Sequence, residues 1–411
     1  MKRSVRTPAL LSRRRFVAGT AIAGLLGGAS SLSFAGAGST SGNRFVLVIL
    51  RGGMDGLGAV PAIGDPDFAA ARGPLAQYGS APLALDASFA LHPQLGELHA
   101  MYRSGEAAVI HAVGLAYRER SHFDAQQVLE SGGTRPYELA TGWLGRSLAA
   151  SGSKGIALNT SVPLVLRGTA AIDTWAPSTL PDPSADLVAR LERMYAGDPA
   201  LATALERARA LHLDSLPLQD SATMSDGLMA GAAPGAARPG NFVVLARRAA
   251  EFLGQPVGPQ AAVLELGGWD THANQANPNG ALTHALRQLD AGLAALRSGL
   301  IQSDSWSRSV VVVASEFGRE VAVNGTLGTD HGTGGAAFVL GGAVRGGRVV
   351  ADWPGLAKGK RFEGRDLRMT TDLRAVLKGV LSDHLHVASR TLERDVFPAS
   401  ENVRPIALLR T

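Results

Sequence analysis

Short apolar runs rich in Val, Ile and Leu punctuate this chain, and each gives way to a polar turn. Phe45–Leu50 runs into Arg51-Gly52-Gly53-Met54-Asp55, and Ala261–Leu266 into Gly267-Gly268-Trp269-Asp270-Thr271-His272. Val310–Val313 runs into Ala314-Ser315-Glu316-Phe317-Gly318-Arg319, and a Gly-rich turn carrying Asp330-His331-Gly332-Thr333 precedes a further run, Ala336–Leu340. Such runs, alternating with helical stretches, predict the strands of a buried parallel sheet. The fold class is therefore α/β, a mostly parallel sheet sandwiched by helices, and sheets of this kind bind ligands beyond the carboxyl ends of their strands.

Between these landmarks, the turn at Arg51–Gly58 leads into an irregular region reaching about Gly105, interrupted by Pro61, Pro66, Pro74 and Pro82. Ala107–Val113 reads as a strand, and Ser121–Ser131 as a helix with Ser121 or a neighbour as N-cap and Asp124 in its first turn. Glu138–Ala150 reads as a helix and Gly155–Leu166 as a Pro-interrupted strand. Ala185–Leu213 has helical periodicity broken near Gly197-Asp198-Pro199, and Phe242–Leu253, Ala281–Leu300 and Asp372–His386 are further helices. Ser221–Gly240, rich in Gly, Ala and Pro, is expected to be a mobile loop or insert boundary.

The chain has 411 residues, enough for a full core, and no cysteine, which excludes disulfides, thiolate metal sites and a cysteine nucleophile. Its net charge of +5 is local: Lys2, Arg3, Arg6, Arg13, Arg14 and Arg15 lie in the first 35 residues, which hold no acid, and without them 34 bases face 35 acids. The remainder gives no electrostatic reason to bind nucleic acid. Ser12-Arg13-Arg14-Arg15-Phe16 fits the twin-arginine export pattern, followed by the mild apolar stretch Val17–Leu26 and small residues for cleavage at Ser33-Phe34-Ala35 or Ala35-Gly36-Ala37. That stretch is shorter than the roughly 20 residues a bilayer demands, so residues 1–35 read as a signal peptide and not as a stable membrane anchor. Residues 36–42 read as a linker and 43–411 as a single domain. The expected partner is the twin-arginine export machinery, which carries folded proteins, and the expected location is periplasmic or secreted.

The strand-end residues carry the chemistry. Carboxylates and imidazoles gathered at one rim repel or desolvate one another unless a cation neutralises them. Asp270 and His272, one residue apart, face one point if the backbone is extended, though an Asx-turn explains the same Asp. Glu316, at the mouth of a buried strand, calls for a partner, either Arg319 or a metal. Asp330-His331 follows the same logic. Asp55 is a ligand candidate or a turn carboxylate, and Gly52-Gly53 offers amides that fit an anion. Ser121 sits where helix amides favour an anion or a nucleophilic oxygen, and it equally fits a plain N-cap. Beside it, His122 has no spacing that singles it out.

In order along the chain, Arg51-Gly52-Gly53-Met54-Asp55-Gly56, Ser121-His122-Phe123, Gly268-Trp269-Asp270-Thr271-His272, Ser315-Glu316-Phe317-Gly318-Arg319 and Gly328-Thr329-Asp330-His331-Gly332 resemble the exported domain of unknown function 1501 family. That family is similar to the alkaline phosphatase and sulfatase superfamily, whose members hydrolyse phosphate or sulfate esters at a metal centre. The resemblance implies an alkaline-phosphatase-like fold, with Asp55, Asp270, His272 and His331 matching metal-ligand positions and Ser121 nearest the nucleophile. Where the superfamily has an Asp-His pair after a valine-rich strand, this chain has Glu316-Phe317, which removes a second-metal ligand unless Asp330 or His122 supplies one.

The expected function is an exported metal-dependent hydrolase acting on a small-molecule or polymer ester of phosphate or sulfate. The expected metal ligands are Asp55, Asp270, His272, Glu316, Asp330 and His331. Ser121 or a water is expected to attack, and Arg51 or Arg319 to hold the transferred group's oxygens. Oxygen and nitrogen donors without sulfur suit a divalent metal, zinc first, with manganese, magnesium and calcium compatible. The alternative is a non-catalytic metal-binding surface or polymer-binding protein on the same scaffold.

Overall fold

The structure, a computed structural model, describes residues 42–177, 183–213, 241–275 and 277–410. The expected signal peptide, most of the linker and the Ser221–Gly240 segment lie outside the described residues. Among the described residues eleven strands form, in chain order, β1 Arg44–Leu50, β2 Leu83–Ala84, β3 Ala90–Leu91, β4 Ala107–Gly114, β5 Gly155–Ala157, β6 Ile172–Thr174, β7 Ala261–Leu266, β8 Ser309–Ser315, β9 Gly335–Leu340, β10 Arg348–Val350 and β11 Thr371–Asp372. β2 and β3 make a small antiparallel pair, and the rest build one sheet in the order β10-β4-β9-β8-β1-β7-β5-β6, with β11 beside β4. The principal helices are α1 Gly56–Ala59, α2 Gly96–Arg103, α3 His122–Ser131, α4 Trp143–Ser151, α5 Ala185–Tyr195, α6 Pro199–Leu213, α7 Asn241–Gly254, α8 Ala281–Gln302 and α9 Leu373–Leu385.

β1 is the centre of the sheet, parallel to β7 on one side and β8 on the other, with Val46 opposite Ala262 and Val311. Its alternate residues feed two separate cores. Val46, Val48 and Leu50 join Phe242, Leu286 and Leu289 of α7 and α8. Phe45, Leu47 and Ile49 join Val128, Leu144 and Val376 of α3, α4 and α9. Both faces are covered, so from Phe45 to Leu50 the strand is apolar at every position instead of alternating. Each buried Val, Leu or Ile contributes about 1.5–3 kcal/mol, which explains why the densest apolar runs occupy the middle.

β9 departs from the parallel pattern. It pairs antiparallel with both β4 and β8, because the chain returns from β8 without the helical crossover a parallel strand requires. Its beginning therefore lies at the rim where β1, β7 and β8 end. That reversal carries the Asp330-His331 turn to the strand-end chemistry.

Several expectations are corrected. The region to Gly105 is not wholly irregular: α2 forms there with Leu98, Met101 and Tyr102 buried. Its first amides are capped from a distance, the Asp290 carboxylate on α8 accepting from Glu97 N at 3.0 Å and Leu98 N at 2.9 Å; no local cap residue was there to be read. The helix expected from Glu138 starts at Trp143, since Glu138 instead accepts from the amides of Thr134 and Arg135. Only Gly155–Ala157 of the Gly155–Leu166 run is a strand, and Leu164–Leu166 after Pro163 is a 3₁₀ turn. The strand at Ala107–Val113, the broken helix between Ala185 and Leu213, and the helices following Asn241, Gly280 and Asp372 form as expected.

Three imidazoles are structural. His111 is enclosed between Val60 O at 2.9 Å and Ala112 N at 2.8 Å, and His384 Nε2 meets Arg44 O at 2.9 Å. Burial pushes His92, His111 and His384 each from 6.5 down to about 4. A folded pKa below the unfolded one means that the unfolded chain binds protons first. Stability should therefore fall steadily between about pH 6.5 and 4, and His384→Gln should shallow that slope by one proton's share in pH-dependent urea melts. An unchanged slope would show that His384 is not held neutral.

Candidate metal centre

Four loops converge at the rim formed by the ends of β1, β7 and β8 and the start of β9. The first fits tightly enough to require glycine. Gly52 has φ +123 and a Cβ there would lie 2.6 Å from Asp270 N; Gly53 has φ +70 and its Cβ would lie 2.4 Å from the Phe317 ring. Backbone thus replaces side chain where the β1 loop passes between the loops after β7 and β8. A bridge between Arg319 and His331 then staples the chain leaving β8 to the chain entering β9.

His122, Asp270 and His331 each present a ligand atom within 4.8 Å of the others. His122 opens α3, directly after its N-cap Ser121. Its Nδ1 meets Glu316 Oε1 at 2.9 Å, and its Nε2 faces Asp270 Oδ2 at 3.5 Å, buried and without a hydrogen-bond partner. His331 Nδ1 donates to Arg120 O at 2.9 Å while its Nε2 faces Asp270 Oδ1 at 3.1 Å. His272 Nδ1 meets Asp330 Oδ1 at 3.0 Å, and its Nε2 lies 3.0 Å from both His331 Nε2 and Asp270 Oδ1. Three imidazoles are therefore held through Nδ1 by an acceptor outside the cluster and turn Nε2 towards one carboxylate. Acceptors behind the ring fix tautomer and orientation in the way a ligating histidine needs. The orphaned Nε2 of His122 and the facing nitrogens of His272 and His331 fit a cation among them.

The charges follow from these contacts. The hydrogen bond to Glu316 raises the His122 pKa against the opposing effect of burial. Burial pushes the Glu316 carboxyl upward, but hydrogen bonds from His122, Gln126 and Gly52 N outweigh it and leave the pKa lowered. For Asp270, burial is likewise overcome, chiefly by Arg319, and the pKa is lowered. His331 is lowered, mainly by burial. Asp330 is lowered by hydrogen bonds from Asn324 and His272, against burial.

Of the residues singled out from the sequence, Asp270, His272, Asp330 and His331 come together, with Asp330 behind His272. Glu316 stands behind His122, fully engaged: it also accepts from Gly52 N at 2.8 Å, Gln126 Nε2 at 3.1 Å and Ser315 Oγ at 3.0 Å. The amide expected to bind an outside anion is thus occupied by this carboxylate. Asp55 lies apart from the cluster, its Oδ2 accepting from Arg72 and Gln275. Freeing it would strand a fully buried guanidinium, at a cost of about 3–5 kcal/mol. Arg51 pairs with Glu130 and Glu265 at 2.8 Å each. Arg319, 1% exposed, donates to Asp270 Oδ1 at 2.6 Å and to Thr329 Oγ1 at 3.1 Å. Ser121 caps α3 by backbone geometry alone, with no side-chain capping bond. The sequence reading undervalued His122; the signal available was its place at the first position of a helix beside a candidate serine.

The family model described as "Protein of unknown function (DUF1501)" matches residues 84–396, and the chain belongs to that family. No protein of curated function matches. Among solved structures, a protein in the alkaline phosphatase superfamily from Vibrio parahaemolyticus is 10% identical, covers 73% of this chain and 60% of its own, and has a TM-score of 0.38. The C-terminal periplasmic domain of EcEptC from Escherichia coli, solved in complex with Zn, is 12% identical, with 89% of each chain covered and a TM-score of 0.40. The phosphonate monoester hydrolase of Agrobacterium radiobacter is 11% identical, covers 84% of this chain and 74% of its own, and has a TM-score of 0.41. No described helix is long and apolar enough to cross a membrane.

If Glu316 holds His122 as the geometry indicates, His122 in metal-free protein titrates above 6.5 in a histidine-resolved NMR titration. Glu316→Gln should then lower that pKa, since the main cause of the upward shift is lost; an unmoved titration would break the assignment.

Proposed function

We propose that this member of the family is an exported, metal-dependent hydrolase-like protein acting on a phosphate or sulfate ester, with residues 1–35 as its twin-arginine signal and 43–411 as one domain. The observation that carries this reading is the set of three imidazoles, each backed at Nδ1 and turned by Nε2 towards Asp270. His122, Asp270 and His331 would hold the ion, with His272 beside them. All-nitrogen-and-oxygen donors with this histidine content favour zinc, with manganese next and magnesium or calcium less suited. When bound, a divalent ion supplies the positive charge that polarises the ester.

The protein's own groups have distinct tasks in this reading. Glu316 and Arg120 O keep His122 and His331 in the tautomer that exposes Nε2. Arg319 keeps Asp270 ionised and fixed. His272, with a side chain 44% exposed and steadied by Asp330 at Nδ1, turns Nε2 towards Asp270 and His331, where it can pass a proton to or from the reacting group. Ser121, next to His122 at the start of α3, is the attacking hydroxyl, stabilised as an oxyanion by the free amides of that helix end.

A second reading, a non-catalytic metal-binding surface or polymer-binding protein, is favoured by one observation. Asp55 is consumed by a buried ion pair with Arg72, which leaves ligands for a single cation, and Arg319 is engaged by Asp270 and not free to hold a substrate oxygen.

Protein purified under native conditions should retain near-stoichiometric metal by elemental analysis, and Asp270→Ala or His331→Ala should strip it. Native protein that is metal-free and turns over esters unchanged would defeat the proposal. Against aryl phosphate, phosphodiester and sulfate esters with zinc, manganese or magnesium, turnover should fall by orders of magnitude in Ser121→Ala. Bound metal with no turnover across that panel would select the second reading.

A further inference from the structure

Behind the rim, a chain of buried polar groups joins Asp55 to Asp270, and Gln275 is its hub. Asp55, Arg72, Gln275, Thr271, Thr329 and Arg319 are all buried. Gln275 Nε2 donates to Asp55 Oδ2, while its Oε1 accepts from Thr271 Oγ1 at 2.7 Å and Thr329 Oγ1 at 2.6 Å. With its hydrogen directed at Gln275, the Thr329 hydroxyl has its lone pairs free to accept Arg319 Nε at 3.1 Å. Arg319 then reaches Asp270 Oδ1 through Nη1 at 2.6 Å.

The direction of this relay is set by charge. Turning the Gln275 amide over would place its oxygen against the Asp55 carboxylate and its NH₂ against two hydroxyls, so the anion fixes which end faces which way. The other Asp55 oxygen, Oδ1, is buried without a partner, so all the pull of the carboxylate falls on the donors at Oδ2. Arg72 neutralises the charge and donates to Val321 O at 3.0 Å, tying the far end of the relay to the segment that carries Arg319.

We propose that Gln275 is a positioning residue for the metal centre: anchored by Asp55, it orients the Thr329 hydroxyl, which seats Arg319, which in turn holds Asp270 in its ligating pose. This rests on the metal reading for its consequence but not for its geometry. Asp55 thereby acts on the centre without entering it.

The discriminating variant is Gln275→Glu. Protonated, the introduced carboxyl donates to Asp55 and accepts from both threonines, as the amide does; ionised, it repels Asp55 and loses the donor. Zinc affinity, measured by chelator competition, strengthens with pH in any histidine site, so the quantity to read is the ratio of variant to wild-type Kd. That ratio should stay near one at the acid end of the stable range and climb with pH, towards the loss of about 10–100-fold typical when a group supporting a ligand is removed. Gln275→Leu should show that loss at every pH. A ratio for Gln275→Glu that does not change with pH would overturn the relay, because a space-filling role has no reason to titrate. Crystal structures of metal-free wild type and of metal-free Gln275→Glu at alkaline pH separate the two ideas. If wild type binds no zinc, the metal reading fails. The relay then stands if Arg319 has left Asp270 in the variant, and falls if it has not.

Discussion

The single carboxylate of Asp270 accepts a buried guanidinium on the same oxygen that faces His272 and His331, and the rim is arranged around that concentration of charge. Arg319 fixes the carboxylate; the imidazoles approach it because each is restrained from behind. Removing any one restraint would let its ring rotate towards solvent and leave the others facing like groups. The tight passage of Gly52 and Gly53 between neighbouring loops serves this geometry, bringing Gly52 N to Glu316 and thereby Glu316 to His122.

Much of the scaffold was legible in the sequence because burial on both faces of a central strand writes itself as an unbroken apolar run, as in Val310–Val313 and Phe45–Leu50. Ser121 was legible as a cap because capping is local. α2 was not, because its cap, Asp290, comes from another helix. Nor were β6, β10 and β11, which are too short to carry a period. Among the candidate ligands, Asp270, His272 and His331 were findable because strand ends share a rim. Asp55 looked equivalent from its place after β1, yet Arg72, brought back by the helical turn at Phe68–Arg72, had already claimed it. No pattern in the linear chain announces such a pairing.

Glu316 and His122 show the converse. A carboxylate after a valine run reads as a ligand, and a histidine beside a capping serine reads as incidental. In three dimensions they exchange roles, the carboxylate steadying and the imidazole presenting. The imidazole reaches the rim from the start of α3, and the carboxylate after β8 supports it.

The reversed course of β9 has a consequence for where the centre can be altered. The excursion from Glu316 to Gly334 leaves and re-enters the sheet at one rim, and within it lie Arg319, Thr329, Asp330 and His331 alongside Glu316 itself. A large share of the centre's chemistry is thus encoded in one contiguous segment flanked by two buried strands. A change of sequence inside that segment alters the supports of Asp270 and His122 while the paired strands on either side keep their register.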